Sequence, residues 1–298
     1  MSHLRIAMVT TDYLPNIGGI AAHVFHLARA LADRGHRVAV INPRPGTTWG
    51  TEVDRNGVTT YRLYHPASRL WPIRAYLRSQ AVMAGVKSLM AEWGGLDILH
   101  QHDYMYSTFG AYRLARHLPW VWTNHSSTFL MDVRSRKRTL VKRAHDRVHA
   151  IIAVSREIEG ISRELWPGKD VIYVPNGVDT SLFHSAVGKD RARYGLDEED
   201  FVVLCPRRMV PKNGVIYLAR AVNHVLAERP EVRWRFVFVG CGATDNPDKD
   251  YLRQVQDILA GAAEAGYVKY LAGVPHQAMP GLNTMADVVV IPSLIEAV

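Results

Sequence analysis

Apolar and polar positions alternate along this chain in two ways. Short runs rich in β-branched residues, such as RIAMVT (5–10), are followed by segments whose apolar residues recur every three or four positions, as at Ile20, Val24, Leu27 and Leu31. The runs predict parallel strands covered on both faces, and the spaced residues predict amphipathic helices. Further strands are predicted in the first half at 37–42, 58–63, 96–100, 120–124, 150–155 and 171–175.

The same alternation begins again after a polar, turn-rich segment at 176–200. It predicts two doubly wound α/β domains, 1–183 and 184–298, with a cleft between them and ligands at the carboxyl ends of the strands. No helix follows the last predicted strand, so we expect an incomplete second domain and a longer parent protein. The second series predicts strands at 201–206, 234–240, 268–273 and 287–293, and helices near 213–229, 249–264 and 275–286.

Composition places the chain among soluble globular proteins. Of its 298 residues, 48% are hydrophobic and 21% are charged, which excludes a disordered chain. No run approaches the ~18 apolar residues of a membrane-spanning helix, and the first residues do not resemble a signal peptide. Cys205 and Cys241 end apolar runs, which indicates buried thiols in a reducing compartment. We therefore expect a cytoplasmic protein.

The formal charge of +8 predicts an anionic partner, such as a phosphorylated substrate or a lipid surface. Two segments concentrate that charge: 134–149, with seven Lys and Arg residues facing one Asp, and 69–80, where arginines accompany Trp71 and Tyr76. Leu140, Val141 and Val148 would give the first segment an apolar side, so both patches suit an anionic membrane surface. An ordinary solvated surface is the alternative, and no nucleic-acid-binding module accompanies the charge.

Three cations stand between a predicted strand and a predicted helix in CPRRMVPKNGVIYLARAV, residues 205–222. The strand would deliver Arg207, Arg208 and Lys212 to the carboxyl edge of a parallel sheet, beside a helix N-terminus that already favours anions. Arginine offers a bidentate fork and lysine a point charge, so this segment predicts a diphosphate site. A solvated loop with surface cations is the alternative.

A glycine pair, Gly18–Gly19, separates the first strand from the first helix. Backbone without side chains lets a phosphate or sugar approach a helix N-terminus, although a tight turn would use the same residues. The pair is not a G-x-G-x-x-G fingerprint, and no acidic residue follows strand 37–42 to bind a ribose. The sequence therefore disfavours a dinucleotide-dependent dehydrogenase.

Two patterns raise the question of a metal. His100 and His102 could form a ligand pair, but no third ligand joins them at a suitable sequence spacing, so a structural or acceptor-facing role is expected. Asp248 and Asp250 form a D-x-D pattern at the start of a predicted helix, where acidic residues cap the backbone and favour the helix dipole. We therefore predict no metal site.

Taken together, several segments resemble a known family. PNIGGIAAHVFHLARALADRGHRVAVI, TNHSS, VPNGVDTSLF, RRMVPKNGVIYLARAV, VGCG and LAGVPHQAMPGLNTMADVVVIPSLIEA occur in order at fitting spacings. The chain is similar over nearly its whole length to retaining glycosyltransferases of the GT-B fold, in the family numbered four. The ending PS-x-x-E-A is the most specific of these motifs.

The resemblance implies roles for individual residues. Arg208 and Lys212 would neutralise the donor's diphosphate as the leaving group gains charge. Asn213 stands where the family usually has lysine, and Lys212 precedes it. A second glutamate, which would hold the ribose, is expected beyond Val298. The remaining matches are Gly18 and Gly19 in a loop that closes on the phosphates and the acceptor, His125 facing the donor sugar, Glu296 on its hydroxyls, and Gly240, Gly242, Gly273 and Val274 against the nucleotide.

The resemblance implies a retaining, metal-independent hexosyltransferase that needs no cofactor. It would move a sugar from a nucleoside-diphosphate-sugar donor to an acceptor, such as a lipid-linked or cell-envelope glycan, at the cytoplasmic membrane face. One alternative is a non-catalytic fragment that binds nucleotide sugars. Another is an epimerase or phosphorylase that shares the fold.

Overall fold

The structure is a computed structural model that describes residues 3–16, 18–105, 107–242 and 248–297. The chain folds into two compact units. One unit comprises the described residues up to Gly177 together with Ala297, and the other comprises Val178–Glu296. Each unit contains its own sheet.

The first unit contains an eight-stranded sheet with strand order β3-β4-β2-β1-β5-β6-β7-β8. Strand β3 pairs with β4 in the antiparallel direction, and the other pairings are parallel. Its elements are β1 (Arg5–Val9), α1 (Gly19–Asp33), β2 (Arg37–Gly46), β3 (Gly50–Asp54), β4 (Thr59–Pro66), α2 (Trp71–Trp93), β5 (Ile98–Gln101), α3 (Thr108–Leu114), β6 (Trp120–Asn124), α4 (Ser127–Val133), α5 (Arg138–Ala144), β7 (Ala150–Ala153), α6 (Arg156–Leu165) and β8 (Asp170–Tyr173).

The second unit contains a four-stranded parallel sheet in the order β11-β10-β9-β12. Three 3-10 turns, Ala192–Tyr194, Pro211–Asn213 and His276–Ala278, lie between its longer elements. These longer elements are β9 (Phe201–Cys205), α7 (Val215–Glu228), β10 (Trp234–Val239), α8 (Lys249–Glu264), β11 (Val268–Leu271), α9 (Met279–Met285) and β12 (Val288–Val289).

The side chains of β9 divide between the two faces of the second sheet, because successive residues of a strand point in opposite directions. Val203 and Cys205 pack with buried residues of α7 and α8. Val202 and Leu204 pack with Leu282 and other residues of α9. The sheet is therefore covered on both faces, and the predicted α/β architecture with parallel sheets is confirmed.

The predicted elements agree with the structure where their apolar pattern is strong. Strand 120–124 and helix 249–264 have the predicted bounds. The strand predicted at 287–293 is wrong in length, since only Val288–Val289 pairs with β9. The helix predicted at 275–286 is also shorter, because the 3-10 turn His276–Ala278 precedes α9.

The predicted apolar side of segment 134–149 is wrong. Val141 and Val148 are buried, and only Leu140 is exposed. Four of the basic side chains also form ion pairs, joining Arg134 to Glu157, Lys137 to Asp132, Arg138 to Glu164 and Lys142 to Asp146. The acidic partners, apart from Asp146, come from outside the segment, so its charge is balanced more than its sequence suggested.

The described helices contain no span that is both long and apolar enough to cross a bilayer. The longest of them, α2, carries two arginines, a lysine and a glutamate along its length. At the start of α2 the usual distribution is reversed, since apolar side chains are exposed and a charged side chain is buried. Leu70, Trp71, Ile73 and Tyr76 are exposed there, whereas Arg78 is buried.

Candidate active site

In the second unit, the chain leaves β9 and forms a short loop before α7, which we call the cation loop (residues 206–214). Arg207 is half-buried, and Arg208 and Lys212 are accessible to solvent. The loop lies at the carboxyl end of β9 and leads through a 3-10 turn into the N-terminus of α7. The structure thus brings all three predicted cations to one edge of a parallel sheet.

Asn213 and Arg207 tie this loop together. The buried Asn213 amide donates to the Arg208 carbonyl at 2.8 Å, and its oxygen accepts from Arg207 Nη2 at 3.2 Å. Arg207 Nη2 also forms an ion pair with Glu296. Asn213 therefore points inward as a structural residue, and Lys212 is the side chain of this pair that carries charge to the surface.

The cations of the loop influence one another. Partial burial lowers the pKa of the Lys212 ammonium, and the charges of Arg208 and Arg207 lower it further. Burial likewise lowers the pKa of Arg207, with Arg208 contributing. Positive groups that repel one another in a partly desolvated loop favour an anion that neutralises them together.

The tail of the second unit packs directly against the cation loop. Gly214 has a left-handed backbone with φ of 63°, and a Cβ there would lie 2.1 Å from the Pro292 carbonyl oxygen. The Leu294 amide donates to the Lys212 carbonyl at 2.9 Å. The backbone conformation and the close approach both require glycine at 214. The contacts of Pro292 and Leu294 with the cation loop hold Glu296 near it.

The predicted nucleotide-contacting residues follow the neighbouring strands. Gly240 directly follows β10, and a Cβ there would lie 3.4 Å from the Arg208 Cα, so its backbone borders the cation loop. Gly242 follows it, and Gly273 and Val274 follow β11. Because β9, β10 and β11 are parallel neighbours, these residues lie along the edge that carries the cations. Val274 is partly packed into the core on the α9 face.

In the first unit, the glycine pair stands at the start of α1. Gly18 is the N-cap residue, and a Cβ there would lie 3.0 Å from Asp12 Oδ2. Gly19 is the first helical residue and has no heavy atom within 4 Å of such a Cβ among the described residues. The Asp12 carboxylate also accepts from Asn16 Nδ2 at 3.2 Å.

Four imidazoles gather at the carboxyl edge of the first sheet, and we call them the histidine cluster (His23, His100, His102 and His125). The rings of His23 and His125 lie 4.4 Å apart between centroids, and those of His100 and His102 lie 4.0 Å apart. His102 Nδ1 is 3.4 Å from His125 Nε2. His100 Nε2 is 2.7 Å from the hydroxyl of Thr123 on β6.

Burial keeps the histidine cluster neutral. It lowers the pKa of both His100 and His125 to about 3, and it lowers the pKa of His102 well below its usual value. Burial also lowers the pKa of His23, which a hydrogen bond to Asn176 opposes. Near neutral pH these rings can exchange hydrogen bonds with hydroxyl groups but do not hold a second proton.

A group of side chains that could hold a metal contains His102 but not His100, and the expectation of no metal site stays a prediction. Nitrogen atoms of His23, His102 and His125 lie within 4.8 Å of one another. Helix α1 and the ends of β5 and β6 bring them together, so sequence spacing could not show the group. Three neutral imidazoles can hold a transition metal such as zinc.

In the second unit, Asp248 accepts from the Tyr251 amide at 2.9 Å, which confirms the predicted cap.

Two family descriptions match the chain. Residues 17–182 match Glycosyltransferase Family 4, and residues 200–298 match Glycosyl transferases group 1. The chain belongs to the family-4 glycosyltransferases. The predicted family is therefore confirmed, and the two matches cover strands β2–β8 and β9–β12.

Relatives of this glycosyltransferase cover almost its whole length. It is 30% identical over 295 residues to the phosphatidyl-myo-inositol mannosyltransferase of Mycolicibacterium smegmatis, an alignment that covers 98% of this chain and 70% of that protein. It is 26% identical over 302 residues to a component of the phosphatidylinositol N-acetylglucosaminyltransferase of Arabidopsis thaliana, covering 99% and 63% of the two chains.

Solved structures of glycosyltransferases share its fold. The sucrose-phosphate synthase of Thermosynechococcus elongatus superposes with a TM-score of 0.81 at 18% identity, over 99% of this chain and 77% of that chain. Starch synthase IV of Arabidopsis thaliana gives a TM-score of 0.70 at 17% identity, over 99% and 79%. The predicted GT-B fold is confirmed.

Several neighbours of the predicted site residues in this glycosyltransferase could not be identified from the sequence alone. Arg207 was identified as a cation, but its contacts with Glu296 and Asn213 require the fold. His23 lies on α1 and gives no motif, and Asn176 joins it from beyond β8. The assigned roles of His125, Arg208, Lys212 and Glu296 stay predictions, and so do those of the glycines and Val274.

Proposed function

We propose that this glycosyltransferase moves a sugar, with retained anomeric configuration, from a nucleoside-diphosphate-sugar donor to a phosphoinositide-type lipid acceptor. The cation loop carries the proposal, because Arg208 and Lys212, held before a helix N-terminus, suit a diphosphate. The lipid acceptor is proposed because the Mycolicibacterium and Arabidopsis relatives are both named for phosphatidylinositol.

In the proposed reaction, the bond between the sugar's C1 and the leaving phosphate oxygen breaks as an acceptor oxygen bonds to C1 on the same face. The acceptor proton passes to the departing phosphate. Arg208 and Lys212 neutralise the charge that grows on the diphosphate. Glu296, oriented by Arg207, accepts hydrogen bonds from sugar hydroxyls, and His125 contacts the sugar as a neutral ring.

The first test removes one cation. Replacing Arg208 with alanine is expected to lower kcat about 10²–10³-fold, the usual loss when a charge-stabilising donor is deleted. GDP-mannose is the first donor to try, because a related protein from Mycolicibacterium smegmatis is named as GDP-mannose-dependent. Arg220→Ala, an exposed cation on α7, is the matched control. Unchanged turnover in the Arg208 variant would remove the diphosphate assignment.

The stereochemical outcome and the metal requirement need separate measurements. Proton NMR of the product is expected to show the same anomeric configuration as the donor. We propose metal-independent transfer, so preincubation with EDTA should leave kcat unchanged. A loss that zinc restores would contradict this and would assign a metal to His23, His102 and His125.

We further propose that the protein binds anionic membranes through the N-terminal turns of α2. Leu70, Trp71, Ile73 and Tyr76 are 63%, 45%, 47% and 59% exposed there, beside Arg69 and the half-buried Arg74. Aromatic side chains with cationic neighbours suit the headgroup region of a bilayer. Segment 134–149 contributes less to this proposal, since its valines are buried and much of its charge is paired.

A further inference from the structure

The first unit contains a second concave site, whose lining residues are different from those of the histidine cluster. It is a cavity of about 380 Å³, within the size range of small-ligand pockets. It opens where β1, β2 and β4 end and α2 begins. The lining residues that matter here are Thr11, His65, Ser68, Arg74 and Arg78.

Two guanidinium groups give this cavity its charge. Arg74 and Arg78 are four residues apart on α2, so they lie on the same face of the helix, and both line the cavity. No carboxylate is found among the described lining residues. The nearby Asp103 interacts electrostatically with Arg78, and its Oδ2 accepts a hydrogen bond from the amide of the lining residue Thr11 at 3.2 Å. This one carboxylate offsets only one of the two guanidinium charges. A net positive charge therefore faces the cavity.

A buried imidazole adds a different recognition element. The His65 side chain is fully buried, and its Nδ1 is 3.0 Å from the Pro66 carbonyl oxygen. Burial lowers the pKa of His65, with the charge of Arg78 contributing, so the ring is neutral at pH 7. In a neutral ring whose Nδ1 donates to a carbonyl, Nε2 is a hydrogen-bond acceptor. His65 Nε2 has no hydrogen-bond partner among the described residues, so it can accept from a ligand hydroxyl.

We propose that this cavity binds the phosphate group of a hydroxylated phosphate ester. Arg74 and Arg78 hold the phosphate oxygens, and His65 Nε2 accepts a hydrogen bond from a neighbouring hydroxyl of the ligand. This cavity is then the subsite for the acceptor's phosphate, an assignment that rests on the proposed function. The phosphate can belong to a lipid headgroup or to a soluble sugar or polyol phosphate.

Binding of soluble probes tests the site directly. The probes are inorganic phosphate, myo-inositol 1-phosphate and unphosphorylated myo-inositol, titrated by calorimetry into the full chain. An Arg208→Ala/Lys212→Ala background removes the other phosphate-binding loop. We expect myo-inositol 1-phosphate to bind more tightly than phosphate, and myo-inositol to bind most weakly.

Single substitutions then identify the residues. Arg74→Gln is expected to weaken binding of both phosphate probes about tenfold or more, since a charge-assisted contact is lost. Arg116→Gln, an exposed arginine that follows α3 and lies outside the lining, should leave the binding of both phosphate probes unchanged. Arg78→Gln should act like Arg74→Gln. If burial of that side chain prevents the variant from folding, as circular dichroism would show, the half-buried Arg74 carries the test.

His65→Phe isolates the hydroxyl contact. It should reduce the preference for myo-inositol 1-phosphate over inorganic phosphate while both probes still bind. Equal affinity of Arg74→Gln, Arg78→Gln and their background for the phosphate probes would overturn the proposal. Failure of every phosphate probe to bind would overturn it as well.

Transfer assays distinguish the two sources of phosphate. With phosphatidylcholine vesicles that contain phosphatidylinositol, Arg74→Gln should raise KM for the lipid if a headgroup occupies the cavity. If myo-inositol 1-phosphate accepts sugar in its place, the source is soluble. Phosphate binding that depends on Arg74 without any sugar transfer would reject the proposed function alone. Transfer with the same KM in Arg74→Gln would reject the subsite alone.

Discussion

Arg207 illustrates how a side chain can matter without being a candidate for direct contact with the donor. Its guanidinium bonds to Asn213 and pairs with Glu296, which stands far away in the sequence. A planar fork with several donors can serve two partners at once, which a lysine ammonium does less well. The orientation of the predicted sugar-binding carboxylate therefore depends on the loop that carries the predicted diphosphate cations.

Gly214 is the position at which a single methyl group should disrupt this arrangement. Gly214→Ala forces a left-handed conformation on a residue with a side chain and places its Cβ against the Pro292 carbonyl. We expect a loss of about 2–4 kcal/mol in the free energy of unfolding, measured by urea denaturation. Gly261→Ala is the matched control. It lies inside α8 with open space around its Cβ and should be neutral or stabilising.

His145 makes the stability of the first unit sensitive to acid. It is fully buried against Trp122, with ring centroids 4.0 Å apart, and its Nδ1 is 3.0 Å from the Val141 carbonyl oxygen. Burial lowers its pKa from 6.5 to about 4, although the bond to Val141 opposes the shift. Between these two values the unfolded chain binds a proton that the folded chain does not, so stability falls as pH falls.

We expect the pH dependence of the free energy of unfolding to differ between the unsubstituted protein and His145→Gln. Between pH 6 and pH 4.5, His145→Gln should make the free energy of unfolding depend less steeply on pH, by about 1.4 kcal/mol per pH unit. Above pH 7 the curves for the two proteins should be parallel, because neither state of His145 is then protonated. Equal slopes at acid pH would show that His145 takes up its proton in the folded state.

Among the elements, those with regular apolar patterns could be predicted and those without could not. Strand β6 reads WVWTN and helix α8 has a clear apolar stripe, and both were predicted with their observed bounds. Strand β3 reads GTEVD and is mostly exposed at the sheet edge, so it lacks the burial that produces such a pattern. Val141 and Val148 were assigned to the surface because charges surround them in sequence, but tertiary packing buries them.

Part of the candidate site could be predicted from the sequence, and part could not. The cation loop could be predicted because a strand, its cations and a helix are consecutive in the sequence. The histidine cluster could not, since His23, His102 and His125 come from separate elements that only the strand order brings together. The cavity of Arg74 and His65 also depends on how α2 crosses the end of β4.

The start of α2 is the element on which membrane binding can be tested. Trp71→Ser and Tyr76→Ser should each weaken binding to anionic vesicles several-fold in a sedimentation assay, because interfacial aromatic area is lost. Tyr217→Ser, an exposed aromatic residue of the second unit, should have no effect. Binding should also weaken as salt is added. Equal partitioning to neutral and anionic vesicles would contradict an electrostatic component.

At the scale of the whole molecule, two units with separate cores should respond separately to a nucleotide. GDP, or UDP if the donor carries that base, should bind the second unit and stabilise it. At a concentration of about 100 times Kd the gain is about 2.7 kcal/mol, or roughly a hundredfold slower exchange of its core amides. Hydrogen-exchange mass spectrometry should show this in β9 and α7 and not in β1 or β5. Arg208→Ala should remove the effect, and protection confined to the first unit would contradict the assignment.

The contacts of Gly214 with Pro292 and of Lys212 with Leu294 have a consequence for anyone who builds chimeric transferases. The cation loop and residues 292–296 are distant in the gene but pack against each other. Replacing the C-terminal stretch with that of a homologue with another sugar preference would therefore also change the orientation of the cation loop. A successful graft must transplant both stretches together, with glycine retained at the junction.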